Sequence, residues 1–198
     1  MLSASFLRQL EQLPRLSRLL FCACLTQRMM PNFQLFALSS GFAPENILQK
    51  YLDLFWEYLS YRGAKINFAI QYENFEQYIP DVQNFDMFGV YPAIDCCVSL
   101  ELLFNGILSA DSDEAAHASQ ISMGSIVKFL EMQFADSLSD EQLAQQPLVQ
   151  AELKFQERCY HLACNFEQKP VYIKEVKHFA RNEDVSNLGI CLQDDEPA

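Results

Sequence analysis

Glycine is scarce in this chain: six residues among 198. Turn-rich β-sandwiches and phosphate-cradling folds ordinarily use more, because tight turns and close backbone approaches call for a residue without a Cβ. Basic charge is also short, with 14 Lys and Arg against 26 Asp and Glu and a net charge of −12 at pH 7. Residues 1–30 hold Arg8, Arg15, Arg18 and Arg28 against Glu11 alone, a local +3, so the remainder carries −15. Such a field repels phosphates and anionic lipid, which argues against nucleic acid and membrane as partners. No stretch approaches the roughly 18 consecutive apolar residues of a membrane span. The longest, Leu19 to Leu25, is too short for an export signal and has no small-residue cleavage site. A cytoplasmic location is the expectation.

Catalytic signatures are missing too. The chain contains no G-x-S-x-G elbow, no G-x-x-x-x-G-K-[ST] and no G-x-G-x-x-G. It has no C-x-x-C, and its seven Cys, an odd number, fall within apolar stretches. Buried, reduced thiols fit that pattern better than disulfides, zinc ligands or nucleophiles. The three His each lie on the polar arc of their own helix, beside Lys128, Lys154 and Lys174 in turn. Cys159 and His161 differ by about 200° on one helix and cannot share an ion. Glu114-x-x-His117 is half of a di-iron signature whose second copy is absent. No catalytic residue, metal ligand or cofactor is therefore assigned.

What is present is helical periodicity. Leu2, Phe6, Leu10 and Leu13 form one stripe. A second helix, from Pro14 to Met30, is apolar nearly all round, and Pro31 is expected to stop it. A short helix then ends at Gly41, and Pro44 opens a long one reaching Tyr61. Phe68, Tyr72, Phe75 and Ile79 make a further stripe before Pro80. The stretch from Pro92 to Leu108 is apolar almost everywhere and is the expected core helix. Asp111-x-x-Glu114 and Ser139-x-x-Gln142 read as capping boxes, the first opening a helix to about Asp136. Pro147 and Pro170 open the last two helices. The spacing predicts an all-α, single-domain bundle or array of about eight to ten helices over residues 1–185. Residues 186–198 are expected as a short extended arm with an acidic Asp194-Asp195-Glu196 end.

The carboxylates offer the one candidate site. Asp53 and Glu57 stand i, i+4 on a mostly buried helix, where like charges repel unless a cation or proton intervenes. Lys50 is the simplest such cation. Asp95 falls near the start of the core helix, where the dipole would stabilise its charge if Pro92 is the first helical residue. Ser99 lies one turn further on, and Asp86 and Tyr91 precede Asp95 in the loop. The cluster is either a structural tie between loop and core helix or the lining of a small pocket. The twelve aromatics from Tyr51 to Tyr91 belong to an acidic chain, whereas a base-stacking surface would interleave basic residues, so they read mainly as core.

At Phe85-Asp86-Met87-Phe88-Gly89-Val90-Tyr91-Pro92-Ala93-Ile94-Asp95 the chain resembles the YjaG-like family of bacterial proteins, a domain of unknown function. Phe21-Cys22-Ala23-Cys24-Leu25, Arg28-Met29-Met30-Pro31-Asn32-Phe33, Asp53-Leu54-Phe55-Trp56-Glu57, Lys65-Ile66-Asn67-Phe68 and Ser186-Asn187-Leu188-Gly189-Ile190 match in the same order. The resemblance implies an α-helical cytoplasmic protein of gamma-proteobacterial type and carries over no activity, cofactor or catalytic residue. Two functional expectations follow from the residues. One is a non-enzymatic helical protein acting through its surface, as a homo-oligomer or with another protein. The other is a small-molecule or metal site around Asp86, Tyr91 and Asp95, joined by Asp53 and Glu57.

Overall fold

In the computed structural model of the chain, which describes residues 2–109, 113–134 and 138–192, Ser3 opens the first helix by accepting the Phe6 N–H on its hydroxyl. That helix, α1, spans Ala4–Glu11 and buries Leu10. Next, α2 runs Arg15–Ser40 without a break, passing straight through Pro31. Sequence rules end a helix at such a proline, because its ring removes one backbone hydrogen bond and crowds the carbonyl four residues back. Burial overrides them here. Every residue from Leu19 to Phe33 is buried, so both halves of α2 are held by packing on all sides. Gly41, at φ +68°, then ends the helix in the left-handed conformation expected of it, its N–H donating to the Ala37 carbonyl.

The remaining helices are α3 (Ile47–Ser60), α4 (Phe68–Phe75), α5 (Val90–Leu108), α6 (Glu114–Gln133), α7 (Asp140–Ala144), α8 (Pro147–Cys164) and α9 (Pro170–Arg181). The capping box at Ser139 and Gln142 is formed in both directions. Its expected counterpart at Asp111 lies outside the described residues, as does Asp136; α6 starts after Asp113, with no side-chain cap. Among the described residues the fold is thus an all-α single domain of nine α-helices, with short 3₁₀ turns and one isolated antiparallel bridge between Val185 and Cys191.

The layout follows from the two most apolar helices. α2 is central and packs on α3, α5, α6, α8 and α9; α5 is its principal neighbour. α5 is long and apolar enough to match a membrane crossing, but more than half of it is buried inside the protein, as a core helix should be. Where α5 meets α2 and α6 the contact is tight. A Cβ at Gly106 would come within 2.8 Å of Leu19 and 3.1 Å of the Glu114 side chain. Arg15 covers the open end of α5 by donating to the carbonyls of Gly106 and Ile107. On the far side of α5, the ring of Phe104 is enclosed by Tyr51, Phe55, Phe68, Tyr72 and Phe75 at centroid distances of 4.9–6.4 Å. The aromatic-rich stretch is therefore largely core.

Residues 186–192 are extended but stitched into the helical unit, with Ser186 and Asn187 fully buried and Leu188 nearly so. The arm is entered through an unusual turn in which Asn182, Glu183 and Asp184 all have positive φ (51°, 56° and 58°). Each L-residue held there costs roughly 1–2 kcal/mol, least for Asn. Glycine removes that cost and gives back up to about 1 kcal/mol in unfolded-chain entropy. Glu183→Gly is accordingly expected to stabilise the protein by about 0.5–1 kcal/mol, read as an upward shift of the urea midpoint.

A buried charge network and the cleft beside it

Three charged side chains are buried among the described residues: Glu114, 1% exposed and paired with Arg18 at 3.2 Å, and two that pair with each other in the core. Arg28, in the middle of α2, is 5% exposed, and Glu152 on α8 is 0% exposed. Arg28 Nη1 donates to Glu152 Oε2 at 2.8 Å, and the guanidinium lies 4.2 Å from the centre of the Phe155 ring. The other carboxylate oxygen, Oε1, accepts from Ser122 Oγ and from Gln156 Nε2, each at 2.7 Å. Gln156 Oε1 in turn accepts from Ser119 Oγ. With both oxygens engaged, the Glu152 charge is compensated, as a buried ion must be.

The network continues to the arm. Asn187 Nδ2 donates to the Ser122 carbonyl at 3.1 Å, and Asn187 Oδ1 accepts from Asn32 Nδ2 at 2.9 Å. Asn187 is presented inward because Ser186 closes the loop around it, its hydroxyl accepting the N–H groups of Leu188 and Ile190. Two buried polar atoms in this region are left without a hydrogen-bond partner: Arg28 Nε and Asn32 Oδ1.

Asn32 also lines a cleft of about 300 Å³. Leu35, Phe36 and Ser39 of α2 form one wall, Met87 to Gly89 and Pro92 a second, Phe129 of α6 a third, and Leu188 and Ile190 of the arm a fourth. The loop before α5 is pinned by Phe85, whose ring meets Phe36 edge-on at 4.9 Å and Phe42 at 5.7 Å. Phe88 leans on Phe129 at 6.2 Å. Leu35 and Met87 stand exposed at the rim.

The five carboxylate and tyrosine residues expected to form one acidic site take separate places. Asp53 and Glu57 are exposed on α3, and Asp53 is held by Lys177 of α9 at 2.7 Å and by Gln49 at 2.8 Å. Lys177 therefore fills the role expected of Lys50. Asp95 turns the other way, to α6, where it accepts from Ser125 Oγ and lies 3.6 Å from Lys128 Nζ. Because α5 starts at Val90 and not at Pro92, Asp95 sits beyond the first turn, out of reach of the helix dipole. Ser99, its expected partner, is bonded to Thr26 at 2.7 Å. Asp86 is exposed, and Tyr91 is exposed with its ring 5.9 Å from that of Phe88; neither lines the cleft. Among the described residues no three His, Cys, Asp or Glu are grouped to hold a metal ion, and the three His are exposed on separate helices.

The residues that do come together, Arg28, Asn32, Glu152, Gln156 and Asn187, carried a readable signal. A charge inside an all-round apolar helix is one. A glutamate in line with Val149, Phe155 and Cys159, the buried face of α8, is another.

The thiols divide in a way the sequence did not indicate. Five are buried, but Cys164 and Cys191 are exposed. Burial holds the Cys22, Cys96, Cys97 and Cys159 thiols well above the ordinary thiol range, so they stay protonated and unreactive. A disulfide reagent such as Ellman's is expected to titrate two thiols in the native protein and all seven in denaturant.

Comparison with known proteins covers most of the chain. Residues 5–191 match the family model described as protein of unknown function (DUF416). The uncharacterized protein YjaG of Escherichia coli K12 is 40% identical over 189 residues, covering 93% of this chain and 95% of its own. An uncharacterized protein of Haemophilus influenzae is 37% identical over 186 residues, covering 92% and 95%. The crystal structure of a DUF416 family protein from Shewanella baltica superposes with a TM-score of 0.86 at 26% identity, over 96% of this chain and all of that one. With that span and identity, the chain belongs to the DUF416 family.

Proposed function

We propose that the protein works by binding, and that it takes a small, mainly apolar molecule into the cleft between the second half of α2, the loop before α5, α6 and the C-terminal arm. The observation that carries this reading is the cleft itself. Its volume, about 300 Å³, is at the lower end of small-molecule sites, and its lining is mostly Leu, Ile, Phe, Met and Pro with Asn32 and Ser39 as polar side chains. Four separate chain segments are needed to close it, and each is fixed from behind by packing or hydrogen bonds. Catalysis has less support: burial holds the Cys22 and Cys159 thiols protonated, and the buried carboxylates are engaged, Glu152 with Arg28, Ser122 and Gln156 and Glu114 with Arg18.

The test is a fluorescence titration with N-phenyl-1-naphthylamine, a neutral apolar reporter, on the wild type and on Gly89→Leu. Gly89 lines the cleft in an ordinary helical conformation, and a Cβ there meets nothing within 4 Å, so the variant fills space without straining the fold. Saturable binding is expected in the wild type, with at least a tenfold weaker dissociation constant in Gly89→Leu and an unchanged thermal midpoint. Equal binding by both proteins, or none by either, overturns the reading. So does a dimer in light scattering that Leu35→Lys abolishes, since the exposed rim would then be explained by a second copy of the chain.

A further inference from the structure

We infer a second site, separate from the apolar cleft, that binds a free α-amino acid with an apolar side chain as its zwitterion. It lies where α2, the start of α3 and the turn after α9 meet, and it has two adjoining compartments. The smaller, about 170 Å³, is floored by Gln27, Met30, Pro31 and Gln34 of α2 and walled by Asn46, Gln49, Arg181 and Asp184. The larger, about 270 Å³, shares Pro31, Gln34, Asn46 and Asp184 with it and adds Leu38, Glu45 and Leu192. None of these residues lines the apolar cleft.

The smaller compartment brings together a cation and an anion that the protein leaves unpaired. Among the described residues neither Arg181 nor Asp184 makes a salt bridge or a side-chain hydrogen bond. The amides around them are already engaged: Gln27 and Gln49 bond each other at 2.7 and 3.2 Å, and Asn46 accepts from Gln34 at 2.9 Å. The two charges are therefore what the compartment offers a guest. A guanidinium takes a carboxylate through paired donors, and a carboxylate takes an ammonium. The floor adds a further acceptor, because Pro31 has no N–H for the Gln27 carbonyl four residues back, and both belong to the one helical stripe that forms the floor. An α-amino acid carries its two charges on a single carbon, which suits a cation and an anion on either side of one turn. That turn is the one with Asn182, Glu183 and Asp184 all at positive φ, and strained backbone of this kind gathers at ligand sites. The larger compartment receives the side chain against Pro31, Leu38 and Leu192, while Glu45 turns away an acidic one.

The experiment is an NMR titration of the backbone amides of the full chain with L-leucine, carried to about 10 mM because charges that stay partly in water contribute little each. Two comparison ligands each lack one charge: leucinamide has no carboxylate, and 4-methylpentanoate has no ammonium. Leucine is expected to bind saturably and about tenfold more tightly than either, with shifts at residues 27–34 and 181–184 and without displacing the naphthylamine reporter. Arg181→Gln is expected to bring leucine down to the level of leucinamide, and Asp184→Asn to the level of 4-methylpentanoate. Both side chains are exposed and asparagine tolerates positive φ, so neither change should move the thermal midpoint. No saturable shift with leucine, equal binding by the three ligands, or shifts centred on the apolar cleft overturns the inference. L-glutamate binding as tightly as leucine overturns the assignment of an apolar side chain. All of these results leave the reading of the apolar cleft to its own test.

Discussion

Replacing Glu152 by alanine is expected to destabilise the protein by about 3–5 kcal/mol, measured as a fall in the denaturant midpoint at unchanged slope. The size follows from what is stranded. Arg28 would keep its charge at 5% exposure with the Phe155 ring as its remaining close neighbour, and Ser122 and Gln156 would lose their common acceptor. Domains of this size have roughly 5–15 kcal/mol in total, so the variant should be marginal at 37 °C. The penalty belongs to the unpaired ion and not to the absence of a bond. Arg28→Met combined with Glu152→Gln should therefore be more stable than Arg28→Met alone, because a neutral amide at 152 can still accept from Ser122 and Gln156. A Glu152→Ala protein within about 1 kcal/mol of wild type would show that water reaches the pair.

Phe104→Ala is the second large effect, at about 3–5 kcal/mol. Five rings surround this one, in edge-on, tilted and stacked arrangements. They come from α3 and α4, and these cannot all collapse into the space left behind. The loss adds the removed apolar area to the cavity that remains. Phe104→Leu keeps most of the volume and should retain most of the stability. If calorimetry shows Phe104→Ala melting within a few degrees of wild type, the aromatic cluster is looser than its ring distances imply.

Local chemistry in the sequence was a good guide to where helices begin and end. Gly41, the Ser139–Gln142 box, Pro147 and Pro170 each act within one turn of themselves, so their effect is readable without knowing the fold. Pro31 shows the limit. The rule that ends a helix there is also local, but the packing that overrules it comes from five other helices. The site was less legible for the same reason. Asp53 and Asp95 were correctly singled out as carboxylates in need of a partner, yet the partners, Lys177 and Ser125, are supplied by other helices that only the tertiary fold brings near. Arg28 and Glu152 are 124 residues apart. Each taken alone looks like a charge bound for solvent. Only the apolar company each keeps on its helix, Met29 and Met30 beside one, Val149 and Cys159 along the face of the other, marks them as interior.

The central position of α2 also constrains how the chain is made. Synthesis delivers this helix early, but its ion partner on α8 emerges 124 residues later. At about 5–20 residues per second that is a delay of roughly 6–25 s. Until then Arg28 has no carboxylate to pair with, although α3, α5 and α6, which pack on the same helix, are made before α8. A chain that stops before Glu152 therefore keeps the interior cation of α2 unpaired, whereas one that continues well past Asn187 can close the whole network.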